Sequence, residues 1–434
     1  MKKIFLFLAL FSTYISKSQS LYFPPINNNN WDSISMNTLG WCTNYENELY
    51  DYLQMNNSKA FILLKDGKIV IEKYFGTFTQ DSLWYWASAG KSLTSFLVGI
   101  AQQEHLLSIE DTSSKYIGTA WTSEPIAKEN LIKVKHQLTM TTGLDDGVPD
   151  NNCTVDTCLQ YLVDAGTRWA YHNAPYTLLD SVISNASGMS MNNFLHQKVS
   201  TPTGINGFYY KTGYDNVFFS KARSMARFGL LILNKGKWDQ TPVLTDSNYF
   251  YNMAHTSQAY NLSYGYLWWL NGKASFMVPQ SQLVFPGSLS PHAPQDMIAA
   301  LGKNGQMLNI VPSQNVVWIR MGDAPDAGLV PFLMNDSIWL RLNKIMCTPS
   351  ASSSFQQQNA VISTAPNPFH DFLTLHCDYQ NFEIRVSNIF GEMIYKDEGI
   401  KGNTPLNLSF LPKGIYILHC ISSNGNQVIK IEKD

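Results

Sequence analysis

The stretch Trp84-Tyr85-Trp86-Ala87-Ser88-Ala89-Gly90-Lys91-Ser92-Leu93-Thr94-Ser95-Phe96-Leu97 decides how the rest of the chain is read. From Leu93 the apolar residues run Leu93, Phe96, Leu97, Ile100, the i, i+3, i+4, i+7 spacing of a helix with one buried face. Ser88 then falls at or near the helix start, with Lys91 about one turn further on. Residues three apart share a helix face, with Cβ atoms about 5–6 Å apart, so the Lys91 amine can reach the Ser88 hydroxyl. A serine hydroxyl becomes a useful nucleophile only beside a base. Lysine is that base only when neutral, and burial and the positive end of a helix both lower its pKa. The same helix end offers free N–H groups to an oxyanion. Ser88–Lys91 is the one S-x-x-K of the chain: no other lysine has a serine three residues before it.

The chain of 434 residues is long enough for about three domains, or two larger ones. Its 44% hydrophobic content is close to the roughly 45–50% of globular proteins and allows a sizeable core. Formal net charge is −2 and no Lys/Arg run exceeds two residues, which argues against nucleic-acid or anionic-membrane partners. Met1-Lys2-Lys3, then Ile4 to Phe11, then Ser18-Gln19-Ser20 read as a signal peptide over residues 1–20. Its apolar core is too short to span a membrane. No other stretch approaches 18 consecutive apolar residues, so no transmembrane segment is expected in the mature protein.

Export makes the six cysteines disulfide candidates. Cys153 and Cys158 are close enough in sequence to close a small loop, and a bond between them is expected. Cys42 and Cys347 lie near the two ends of the first domain, and Cys377 and Cys420 fall in the C-terminal segment. Six cysteines allow fifteen connectivities, and these spacings match no zinc pattern.

Ala60 to Leu64, Asp66-Gly67 and Ile69 to Phe75 read as a β-hairpin with a D-G turn. Trp169 to Leu179 runs into a helix that Ser187-Gly188 stops, and Ser220 to Gly229 leads another. Tyr264 to Leu270 begins a return to strands. Met307 to Pro312 and Val316 to Met321 read as adjacent strands, and a helix over 330–346 closes the domain. Strands, a helical insert, strands and a final helix imply an α/β sandwich with an antiparallel sheet and an inserted helical subdomain. Residues 348–360 are a polar linker. From about Val361, short alternating strands with Asn-Pro, Phe-Gly and Lys-Gly turns suggest a small all-β sandwich.

S-x-x-K is the nucleophile motif of serine β-lactamases and penicillin-binding proteins. Ala89 to Ser95 with the tail Gly99-Ile100-Ala101-Gln102-Gln103 resembles the nucleophile helix of the class C β-lactamase-like hydrolases. Ile132 to Leu144 resembles a further segment of that family, with core packing as its simplest role. The resemblance covers about residues 45–346. Pro366-Asn367-Pro368, Asn388-Ile389-Phe390-Gly391 and Leu411-Pro412-Lys413-Gly414-Ile415-Tyr416 resemble the C-terminal sorting domain of type IX secretion, over 361–434.

The family's second motif is Tyr-x-Asn, found here at Tyr45, Tyr171, Tyr214 and Tyr379. Tyr171 lies between the nucleophile helix and the closing strands in a family-like context, so the resemblance makes Tyr171 the proton shuttle. Neighbouring cations would ease its proton off. Asn173 would orient Lys91 or a substrate carbonyl, and His172 reads as structural. Lys211-Thr212-Gly213 spells the family's K-T-G box. It lies 40 residues after Tyr171, ahead of a helix, and reads as a surface turn. Gly302-Lys303-Asn304-Gly305-Gln306 resembles the G-x-x-G-Q variant of the esterase and 6-aminohexanoate-dimer hydrolase branch. There Gly302, Lys303 and Gly305 would shape the oxyanion strand. No G-x-S-x-G elbow, H-E-x-x-H or phosphate loop is present.

The resemblance implies a β-lactamase/transpeptidase-like fold (residues 21–347) and acyl transfer by Ser88, Lys91 and Tyr171. The substrate would be an ester, amide, D-amino peptide or β-lactam, small or peptidoglycan-like. No metal or organic cofactor is implied. The expected location is outside the cell or on its surface, reached through the type IX machinery. A penicillin-binding sensor or cell-wall module without turnover, and an inactive surface adhesion relative, remain as alternatives.

Overall fold

A computed structural model describes residues 21–325, 330–347, 363–376, 382–388, 393–401, 403–422 and 425–434. The signal-peptide segment 1–20, the linker 348–360, Cys377 and the Phe390-Gly391 turn lie outside these described residues. The chain divides into two compact units, at about residue 350.

The first unit is built on a six-stranded antiparallel sheet. Its order is Lys68–Tyr74, Ser58–Lys65, Val316–Gly322, Gln306–Val311, Ile298–Gly302, Trp269–Leu270. The first two strands form the expected hairpin. Pairing of Ser58–Lys65 with Val316–Gly322, Ile62 opposite Ile319, joins the two ends of the unit. Ala60 to Leu64 and Val316 to Gly322 are buried without alternation. Such continuous burial marks strands covered on both faces.

Neighbouring residues show the two covers. Val317 meets the helix Ala222–Leu233, where a Cβ on Gly229 would come within 2.4 Å of Val317 Cγ1 and 2.7 Å of Leu308 Cδ1. Trp318, pointing the other way, packs against Phe61 and against Trp339 of the helix Phe332–Ile345, with ring centroids 5.8 and 6.0 Å apart. Trp339 Nε1 donates to Asn309 Oδ1, and Asn309 Nδ2 donates to Asn335 Oδ1, which fixes that helix on the sheet.

The helical insert carries the nucleophile segment. The helix proper spans Gly90–Gln103 and is buried from Gly90 through Ala101. Ser88 therefore sits two residues before the first residue of the helix, in the 3-10 turn Ala87–Ala89. That turn is tied to a second sheet in which Trp84–Tyr85 pairs with Asp215–Ser220, itself paired with Gly207–Thr212. Trp86 N–H donates to Phe218 O at 2.8 Å, and its ring Nε1 donates to Ser220 Oγ at 2.8 Å. The sequence reading placed a turn at Lys211-Thr212-Gly213 and missed the hairpin around it. The expected strand near Tyr264 is reduced to Trp269–Leu270.

The helix Leu179–Ser187 stops at Gly188 in the left-handed region, as read. Cys153–Cys158 are disulfide-bonded, and so are Cys42–Cys347, with Cα separations of 5.9 and 5.6 Å. The second unit is a small all-β region of one three-stranded and one four-stranded sheet, with its own core that includes Leu373, Ile384, Leu418 and Ile431. No described helix is long and apolar enough to cross a membrane.

Because the Gly229 contact leaves no room for a side chain, Gly229→Val is expected to cost about 1–3 kcal/mol of stability, the usual range for overpacking. Denaturant unfolding of the two proteins measures it; an unchanged midpoint would mean that the helix does not sit this close to the sheet.

Candidate active site

Three segments meet in one cleft of about 380 Å³, lined by Ser88, Lys91, Tyr171, Asn173 and Lys303 among others. The Ala87–Ala89 turn brings Ser88. Ala87 holds φ +46, a conformation that a residue with a Cβ adopts rarely, immediately before the serine. Lys91, in the first turn of the helix, donates from Nζ to Ser88 Oγ at 3.0 Å. It is 5% exposed. Burial lowers its amine to about 7, against an opposing pull from the Asp215 carboxylate. A large fraction is therefore neutral near physiological pH, which is what proton abstraction from Ser88 needs.

Tyr171 is buried in an aromatic cluster. Its ring stacks on Trp269 at 5.9 Å and meets Trp169 and Tyr264 at 6.4 and 6.2 Å. The Lys91 amine lies 5.3 Å from the Tyr171 ring centre and 4.2 Å from that of Tyr176. Burial raises the Tyr171 phenol above its ordinary value, with a weaker opposing contribution from Ser88. The expectation that nearby cations ease this proton off is therefore reversed, because desolvation of the buried phenol dominates and the opposing contribution comes from Ser88, not from a cation. A protonated Tyr171 suits donation or relay rather than service as a standing base.

Asn173 lies on the cleft wall and, among the described residues, makes no hydrogen bond to Lys91. Its Nδ2 donates to Asn152 Oδ1 at 2.8 Å, its backbone N–H donates to Asn151 Oδ1, and its Oδ1 is buried without a hydrogen-bond partner among the described residues. His172 points away and is 2% exposed; burial lowers its imidazole to about 4, so it is neutral.

The strand Ile298–Gly302 ends against the serine turn. A Cβ on Gly302 would approach Trp86 O to 2.6 Å, Ala89 N to 2.9 Å and Ser88 N to 3.0 Å. Lys303 follows and lines the cleft. Gly305 is not brought to the cleft. At φ +74 it faces Arg320, whose Nη1 a Cβ would meet at 2.2 Å. Arg320 is fully buried and donates to Asn304 O, Gly305 O, Asn56 O, Asp323 O and Ser58 Oγ. The glycine thus makes room for the guanidinium that clamps the turn. Asn304 Nδ2 donates to Tyr85 OH at 2.7 Å and closes the turn onto the cleft wall.

Lys211, Thr212 and Gly213 are exposed at the tip of the 207–220 hairpin and do not line the cleft. Asp215 and Asn216, two residues beyond, do. They went unnoticed although Tyr214-Asp215-Asn216 is one of the chain's four Tyr-x-Asn triplets. Arg320 and the Asn151-Asn152 pair carried no local signal at all.

The β-lactamase family model matches residues 56–326, more than half of the chain, and the chain belongs to that family. Residues 363–433 match the secretion system C-terminal sorting domain. An uncharacterized protein of Alkalihalophilus pseudofirmus is 24% identical over 331 residues, covering 67% of this chain and 89% of its own length. A candidate 6-aminohexanoate-dimer hydrolase from Bacillus anthracis shares the fold at TM-score 0.55 and 17% identity, over 74% of this chain and 88% of its own. The octameric penicillin-binding protein homologue from Pyrococcus abyssi does so at TM-score 0.54 and 14% identity, over 90% and 96%.

The packing at Gly302 separates the two candidate third segments. Gly302→Val is expected to reduce turnover of an activated ester by at least about a hundredfold, because a side chain there must displace the Ser88 turn. Lys211→Ala is expected to stay within a few-fold of the parent. Inactivation of a folded Lys211→Ala protein would reverse the assignment.

Proposed function

We propose that the protein is a secreted serine hydrolase that works through an acyl-enzyme on an ester, amide or D-amino peptide bond. One observation carries the reading: the Lys91 amine, lowered by burial to about 7, is hydrogen-bonded to Ser88 Oγ at 3.0 Å. Ser88 Oγ attacks the carbonyl carbon while Lys91 takes its proton. The backbone N–H groups of Ser88 and of the strand end at Lys303 receive the oxyanion. The tetrahedral intermediate collapses, and the proton passes from Lys91 by way of Tyr171 to the leaving group. Water then attacks the acyl-enzyme, the same groups working in reverse. The chain lacks a K-T-G box on its closing strand, having Gly302-Lys303-Asn304 instead. That difference favours ester, amide or peptide over β-lactam.

Ser88→Ala is expected to abolish hydrolysis of a p-nitrophenyl ester, and Lys91→Ala nearly so, without unfolding. The double variant should resemble the single ones, since nucleophile and base act as one unit. Tyr171→Phe should lose less, on the order of 10²–10⁴-fold. The parent rate should rise with pH through about 7, because Lys91 must lose a proton to work. A fluorophosphonate probe should label Ser88 in the parent alone. Labelling without turnover would mark a penicillin-binding type of module, and no labelling an inactive relative. A folded Ser88→Ala protein as fast as the parent would end the mechanism.

The C-terminal unit is proposed to address the protein to the type IX secretion machinery. Deleting residues 351–434 is expected to leave ester hydrolysis within a few-fold and to keep the protein inside its native host. A truncated protein recovered outside the cells would contradict the sorting role.

A further inference from the structure

The acidic side chains around the cleft are matched, with one exception. Asp146 pairs with Arg168 at 2.7 Å, and Asp145 accepts from Gly147 N–H. Asp150 accepts from the Asn152 backbone and side chain, and Asp180 accepts from Asn216 Nδ2 at 2.6 Å. The side chain of Asp215, on the cleft wall with Ser88 and Lys91, makes no hydrogen bond or ion pair among the described residues. It is held in place nonetheless. It opens a strand in register with Thr212, and its neighbour Asn216 is anchored on Asp180.

A half-buried carboxylate without a donor is costly to keep. The charged form of Lys91 attracts it without a hydrogen bond, but the Lys91 amine is bonded to Ser88 and, in the proposed mechanism, is neutral when it acts. Charged hydrogen bonds from a ligand would repay that cost.

We propose that Asp215 is the subsite for a cationic amine of the substrate, an ammonium group within a few bonds of the scissile carbonyl. This rests on the serine-hydrolase reading and narrows its substrate to amine-bearing esters, amides or peptides. Binding also prepares the base. The Asp215 carboxylate favours the protonated form of Lys91, and an ammonium that neutralises it removes that opposition. The other titratable groups lining the cleft are Tyr85, Tyr171, Tyr176 and Lys303, while Asp150 acts on Asp215 from the neighbouring loop.

Two measurements test this on the full-length protein. In the first, alkylammonium ions of three to six carbons compete with p-nitrophenyl acetate. They should inhibit at least roughly tenfold more strongly than alcohols of equal length. In the second, p-nitrophenyl esters whose acyl chains end in ammonium, methyl or carboxylate are compared. The ammonium series should lead by a similar factor at its best chain length. Asp215→Asn should bring both ratios close to one, and Asp215→Glu should retain them, so a folding defect cannot imitate the result. With an ammonium ester the acid limb of kcat should lie at lower pH than that of kcat/KM, since kcat reports the complex and kcat/KM the free enzyme. Equal amine and alcohol inhibition, a preference that survives Asp215→Asn, or a preferred carboxylate series would overturn the proposal. Fluorophosphonate labelling of the same preparations separates the two levels. Labelled enzyme without amine preference defeats this inference alone; absence of both labelling and turnover defeats the hydrolase reading with it.

Discussion

The burial of one amine sets the terms for the rest of this structure. Lys91 stands in a helix whose first twelve residues are all shielded, under the rings of Tyr171 and Tyr176. Lowering a lysine from 10.5 to about 7 corresponds to a cost on the order of 5 kcal/mol to its charged form. The folded state therefore binds this proton less tightly than the unfolded chain does. Below about pH 7 the whole penalty weighs against folding. It shrinks as pH rises toward the ordinary lysine value, where the unfolded chain also gives up its proton. The full penalty is comparable with the net stability of a marginal domain, about 5–15 kcal/mol. Here the amine sits beside a sheet covered on both faces, and a second buried cation, Arg320, donates five hydrogen bonds to the frame.

Arg320 and Lys91 show two uses of burial. Burial lowers the Arg320 guanidinium to about 10, which leaves it charged, and backbone carbonyls of three segments satisfy it. It fixes the 303–305 turn and so the end of the strand that abuts Ser88. Among the described residues Lys91 makes one side-chain hydrogen bond, to Ser88, and its charge is consequently the negotiable one. A guanidinium remains protonated where an amine gives way.

How much of this was legible follows from the range of each signal. The S-x-x-K spacing is local, so Ser88 and Lys91 could be paired before any coordinates. The D-G hairpin, the Gly188 helix stop and the paired closing strands are likewise written within a dozen residues. Contacts across long separations were not. Arg320 reaches Asn56 and Asn304 from a strand that reads as plain apolar sequence, and Gly305 looked like substrate-facing glycine until the guanidinium beside it was seen. Tyr171 was assigned the wrong tendency for the same reason. Its cationic neighbours could be guessed from motifs, whereas the Trp169, Tyr264 and Trp269 rings that dry its surroundings come from three-dimensional packing.

The 207–220 hairpin joins the frame of the nucleophile to the wall of the cleft. Its Phe218 carbonyl and Ser220 hydroxyl hold Trp86, two residues before the serine, by backbone and ring. Phe218 also packs edge-on against the Trp86 ring at 4.8 Å and limits the space beside Gly90 to 3.3 Å. A few residues earlier the same strand presents Asp215 and Asn216 to the cleft. A β-strand is stiff over so short a distance, since each residue is fixed by its ladder partner. The strand that presents Asp215 and Asn216 to the cleft is therefore also the strand that fixes Trp86, so the cleft wall and the turn that carries Ser88 share one frame, which neither the serine motif nor the hairpin shows alone.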